Sequence, residues 1–91
     1  MREPSRIPAL VLVEWVDSAR PEPAWRHLDD APSLEVICCQ SVGWLIDESA
    51  EVMMLAPNLG DIQSEQNMQA SGFMRIPRSA IKRQACLQEK T

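Results

Sequence analysis

The stretch SGFMRIPRSAIKRQACL, Ser71 to Leu87, decides the fold. Its period is that of one long strand, yet a proline sits inside it. Pro77 has no amide hydrogen for a ladder, and its φ is held at about −65°. A strand running through this position has to stop at Ile76. The four residues PRSA, 77–80, then supply a single tight turn of the 3₁₀ kind, with Pro77 setting its first dihedral. IKRQACL resumes as a separate strand. Alternation would put Ile81, Arg83, Ala85 and Leu87 on one face and Lys82, Gln84 and Cys86 on the other. Proline here is a hinge between two short strands.

Upstream, ALVLVEWVDS (Ala9 to Ser18) is rich in β-branched and apolar residues and reads as the first strand, covered on both faces. ARPEPAWRHLDDAPS (Ala19 to Ser33) has three prolines and reads as a long loop, with one helical turn expected at Ala24 to Leu28 behind Pro23. LEVICCQSVGWLIDE (Leu34 to Glu48) is a long second strand in which Gly43 marks a bulge or a sharp bend. DESA is a polar turn, and EVMMLAP from Glu51 is the third strand, completing a hairpin. NLGDIQSEQNMQA (Asn58 to Ala70) reads as a long loop anchored by Ile62 and Met68, and Gly72 to Ile76 as the fourth strand. The expected architecture is therefore all-β: a small five-stranded SH3-like or Sm-like barrel with a 3₁₀ turn before the last strand. Residues 1–8 form a flexible N-terminal arm, 9–88 the single domain and 89–91 a tail. The rival is an α+β domain with a helix in Pro21 to Leu28 or Gln63 to Gln69.

Ninety-one residues bury roughly two-thirds of the unfolded surface, which limits the chain to one small core. The longest uncharged apolar run, Ile7 to Val13, is far below the roughly 18 residues of a membrane span, and no secretory h-region follows the N-terminus. Three cysteines, Cys38, Cys39 and Cys86, are an odd number at no zinc-site spacing. They read as small buried hydrophobes in a reducing cytosol. The net charge of −4 is unevenly spread. No Lys or Arg falls between Arg26 and Arg75, an interval with eight Asp and Glu, whereas five cations face one Glu from Arg75 onward. An acidic body with a basic end suits contact between copies.

No catalytic signature is present. His27 is the single histidine and sits beside Asp29 and Asp30 among prolines, where a surface role outweighs a metal or acid–base one. Ser41 and the Cys38–Cys39 pair lack a second base and a nucleophile elbow. The three glycines are too scattered for a phosphate loop. No enzyme activity, cofactor or metal is expected.

The motifs VEWVDS (Val13 to Ser18), SVGWLIDE (Ser41 to Glu48), VMMLAP (Val52 to Pro57) and GFMRIPRSAI (Gly72 to Ile81) resemble an uncharacterised group of short proteins encoded by tailed bacteriophages and prophages. The resemblance covers roughly residues 10 to 87 and rests on apolar, structural motifs. It implies an accessory role in the cytoplasm of an infected bacterium and brings no catalytic residues.

The expected function is a binding module acting through protein–protein contacts and self-association, with a homo-oligomer as the first partner and a host protein as a further one. Trp25, on its loop, is the residue expected to meet a partner, while Trp15 and Trp44 are expected to be mostly buried. Met53, Met54, Met68 and Met74 add adaptable apolar surface. The weaker alternatives use Phe73, Arg75, Arg78, Lys82 and Arg83: RNA or DNA binding of the Sm-like kind, or capture of a host nucleotide signal by paired arginines. A pI near 4.8 argues against nucleic acid. No membrane contact is expected.

Overall fold

The computed structural model describes residues 7–90, so of the expected N-terminal arm all but Ile7 and Pro8 lie outside the described residues. At Pro77 the chain does as its chemistry requires. Strand β6 (Met74–Pro77) ends on the proline, whose φ of −60° and ψ of 135° lead into a 3₁₀ turn at Arg78–Ala80. Pro77 lies opposite Val52, and the amide that resumes donation is the next one, Arg78 N to Glu51 O at 2.9 Å. The turn closes with the Ile81 amide on the Arg78 carbonyl, and β7 (Ile81–Cys86) follows at once.

The other strands are β1 (Leu10–Asp17), β2 (Ile37–Glu48), β3 (Val52–Ala56), β4 (Asn58–Gly60) and β5 (Gln69–Ser71). Five of them form one antiparallel sheet in the order β6-β3-β2-β1-β7. The Pro77 turn thus carries the chain from one edge strand to the other. The described residues hold no α-helix, and the sheet is not closed into a barrel. The expected helical turn at Ala24 to Leu28 is instead a 3₁₀ turn at Leu28–Asp30, and the second candidate helix, Gln63 to Gln69, is turn and strand.

Strand β2 is long because it serves two partners. Residues 37–44 pair with β1, and residues 44–48 pair with β3. The irregularity expected at Gly43 falls farther on: Leu45 opposes Leu55 and Asp47 opposes Met54, so Ile46 is the extra residue. Gly43 has another purpose. A Cβ there would stand 3.0 Å from the Ala56 carbonyl oxygen and 3.3 Å from the Leu55 Cβ, so glycine permits a close approach of β3. The β2–β3 turn is held by Ser49, whose amide donates to Val52 O (2.8 Å) and whose hydroxyl accepts from the amides of Glu51 (3.2 Å) and Val52 (3.1 Å).

A second register shift lies between β1 and β7. Arg83 opposes Glu14 but Ile81 opposes Trp15, leaving Lys82 as the extra residue. This corrects the simple alternation. Ile81 joins the core face, whereas Arg83 and Ala85 lie on the opposite face with Glu14 and Leu12.

The core occupies one face of the sheet. Val11 and Val13 from β1, Met53 and Leu55 from β3 and Ile76 from β6 are buried, and Trp15, Leu45, Met74 and Ile81 pack around them. Each such side chain contributes about 1.5–3 kcal/mol by leaving water. The segment Asn58 to Ala70, expected as a loop, contains β4 and the start of β5, which pair as a separate two-stranded ribbon. Pro57 divides β3 from β4, and Gly72, at φ +81°, turns the chain beside it: a Cβ would meet the Pro57 ring at 2.9 Å.

Residues 18–36 leave the sheet altogether. These nineteen residues between β1 and β2 are exposed throughout. The Cα radius of gyration is 17.7 Å and the long axis 59 Å, against about 12 Å expected for the radius of a compact chain of this length. The β1–β2 connection is a projecting arm rather than a loop pinned to the sheet.

Packing around the glycines predicts opposite outcomes for two identical changes. Gly43→Ala should cost roughly 1–3 kcal/mol in urea unfolding, because β3 has to move away. Gly60→Ala, whose Cβ meets nothing within 4 Å, should stay within about 0.5 kcal/mol of wild type.

Candidate interaction site: the β1–β2 arm and the cleft at its root

The arm is built from prolines and one stapled turn. Pro21, Pro23 and Pro32 restrict its backbone. The Arg26 guanidinium bonds the Glu22 carboxylate (3.1 Å) and the Asp30 carbonyl (3.0 Å), spanning the turn from both sides. Within the turn, Asp30 N donates to His27 O (2.9 Å) and Ala31 N to Leu28 O (3.2 Å). This order is not used to bury anything. Trp25, Leu28 and Leu34 are 102%, 92% and 105% exposed, values at which a side chain touches essentially nothing of its own fold. Single exposed apolar residues are ordinary, but three uncovered anchors on one ordered segment are not.

At the root of the arm, where β1 ends and β2 begins, lies an open cleft of about 420 Å³ lined by Glu14, Trp15, Cys38, Cys39, Gln40 and Lys82. Its walls are fixed. The Trp15 indole N–H donates to Ser41 Oγ at 3.0 Å, and that hydroxyl lies 3.8 Å from Met74 Sδ. Glu14 Oε1 accepts from Arg83 (2.9 Å) and from the Gln40 amide (3.0 Å). The Arg83 hydrogen bond first, and the Gln40 bond second, hold the Glu14 carboxyl below the usual carboxylate range, and the Arg83 guanidinium is raised in turn. Lys82, put out of register by the bulge, makes no hydrogen bond or ion pair among the described residues.

The basic group of the sequence does not gather into one patch. Arg78 donates through Nε to Ser49 O (2.7 Å) and pairs with the Glu48 carboxylate, clamping the β2–β3 turn to the 3₁₀ turn. Arg83 is paired with Glu14. Arg75 lies on edge strand β6 behind a half-exposed Phe73, while Lys82 and Arg83 lie on the opposite edge strand β7. Of the six residues singled out from the sequence, Trp25 stands alone on the arm and Lys82 alone enters the cleft. Trp15, Cys38, Cys39 and Gln40 were missed as site residues, because only the β1–β2 register (Glu14 opposite Gln40, Trp15 opposite Cys39) brings them together.

Other expectations change as well. Cys38 and Cys86 are exposed and Cys39 is half-buried, so the cysteines are not core residues: β2 runs past the core before it reaches β3. Trp15 and Trp44 are mostly covered, as expected, on opposite faces of the sheet. His27 is exposed on the arm, and no group of three or more metal-ligating side chains occurs among the described residues. No helix of the described residues is long and apolar enough to cross a membrane.

The Glu14 carboxylate gives a pH signature. Its folded-state pKa is lowered, so its contribution to stability is present above the unfolded carboxylate pKa and is lost as the pH falls through the folded value. In urea unfolding at stepped pH, wild type should exceed Glu14→Gln at neutrality, and the gap should close in acid and narrow with added salt. A gap that does not change with pH would mean the ionised pair contributes nothing. No protein-family model matches the chain, and neither does any curated protein or solved structure.

Proposed function

We propose that this protein is a non-enzymatic binding module whose arm makes protein–protein contacts, self-association first among them. The observation that carries the reading is the arm itself: nineteen residues outside the sheet, three of them prolines, hold Trp25, Leu28 and Leu34 in water. Tryptophan is the residue most enriched among interface hot spots. A segment whose backbone is restricted by prolines before binding loses less entropy on docking, so more of the burial energy appears as affinity. Within this reading the open five-stranded sheet is a relative of the small SH3-like or Sm-like barrels. The single 3₁₀ turn between the last two strands and a long β2 shared by β1 and β3 support that architecture. An accessory protein of a tailed phage or prophage, working in the bacterial cytoplasm, is the biological setting that goes with it.

Phosphate binding has less support. A nucleic-acid or nucleotide site needs convergent, unpaired cations. Arg78 and Arg83 are held by carboxylates, and Arg75 and Lys82 stand on opposite edges of the sheet.

Sedimentation velocity over a range of concentrations tests the reading. Wild type should show a concentration-dependent shift to an oligomer, and the double variant Leu28→Asp/Leu34→Asp should remain monomeric with its melting temperature nearly unchanged. A wild-type chain that stays monomeric at high concentration would overturn self-association. Calorimetry with single-stranded RNA, DNA and cyclic nucleotides should give no heat; salt-sensitive binding would favour the phosphate alternative.

A further inference from the structure

The chain carries both halves of one contact. One half is Trp25, exposed on the arm and followed within five residues by Asp29 and Asp30, whose carboxylates have no ion-pair partner among the described residues. The other is the cleft at the arm's root, lined by Trp15, Cys38 and Cys39, with the ammonium of Lys82, which has no ion-pair partner among the described residues, at its margin. We propose that two copies exchange arms about a two-fold axis, each seating its Trp25 in the Trp15–Cys38–Cys39 cleft of the other, with Lys82 facing Asp29 and Asp30. This rests on the self-association read above and assigns the surfaces that meet.

Three features favour a second copy as the occupant. The first is charge. Residues 18–36 carry four acids against two arginines, and the Glu22–Arg26 pair is satisfied internally, which leaves the acids around Leu28 to seek a cation. In the cleft Glu14 is hydrogen-bonded to Arg83, and Lys82 acts on it through its charge alone, so the donors of the Lys82 ammonium are available to another carboxylate. The second is shape. A cleft where β1 ends and β2 begins, at the root of the arm, suits two antiparallel arms lying side by side, each reaching the other's root. Such an exchange is self-complementary and closes after two copies. The third is area. Each tryptophan removes about 150–250 Å² from water on burial.

The test uses the full chain in sedimentation velocity, with a disulfide trap as the second measurement. Trp25→Ala and Lys82→Glu, both at exposed positions, should each weaken the dimer at least tenfold. Adding Asp29→Lys and Asp30→Lys to Lys82→Glu should restore it by reversing both charges. For the trap, Ala24→Cys is placed beside an intact Trp25 in a Cys86→Ser background. Oxidation should then yield a dimer whose cross-link mass spectrometry assigns to position 24 with Cys38 or Cys39. A wild-type dimer indifferent to Trp25→Ala and Lys82→Glu would overturn this assignment and leave self-association standing. A dimer lost in Trp25→Ala but lacking the cross-link places the tryptophan elsewhere and also overturns it. A wild-type monomer removes both readings together.

Discussion

Pro77 withholds one amide hydrogen at the end of β6, and the sheet is organised around that deficit. Because the proline donates nothing and its φ is already suited to a turn, pairing with β3 ends there. Donation restarts from Arg78 to Glu51, and the 3₁₀ turn delivers Ile81 to the other side of β1. Arg78 then clamps this turn to the β2–β3 corner through Glu48 and the Ser49 carbonyl. An edge-to-edge crossing made in three residues allows so short a chain to place five strands in one sheet.

The same economy leaves little core. One face of the sheet buries five side chains around Met53 and Ile76, with four others packed against them. On the opposite face Val42 is half-exposed, and Leu12 and Trp44 fall short of full burial. The nineteen-residue connection is not seated on either face, and its residues are exposed throughout. The arm is ordered by its own prolines and the Arg26 staple instead, and its tryptophan and leucines remain in water.

Charge tells a parallel story. In the sequence the cations from Arg75 to Arg83 look like one basic patch. In the fold two of the four are neutralised by Glu48 and Glu14, carboxylates distant in sequence, and the remaining two lie on opposite sheet edges. The bulge at Lys82 adds the decisive detail. Without it, alternation would keep Ile81 and Arg83 on one face; with it, Ile81 enters the core, Arg83 reaches Glu14, and Lys82 is put aside at the mouth of a cleft.

The sequence by itself determined the all-β class, the bounds of the first and last strands to within a residue or two, the β2–β3 hairpin and the turn after Pro77. Each of these follows from near-neighbour chemistry: β-branched runs, a missing N–H, a polar turn. That Trp25 lies on an irregular loop was legible too, since it stands among prolines; its full exposure was not. The tertiary structure alone decided the rest: the short strands inside Asn58 to Ala70, the bulges at Ile46 and Lys82, the pairing of Arg78 and Arg83, and the cleft itself. All of these depend on which residue of one strand faces which residue of another. A one-residue slip in that register reverses every face, and residues 14 and 40, or 14 and 83, become neighbours only when distant strands pair.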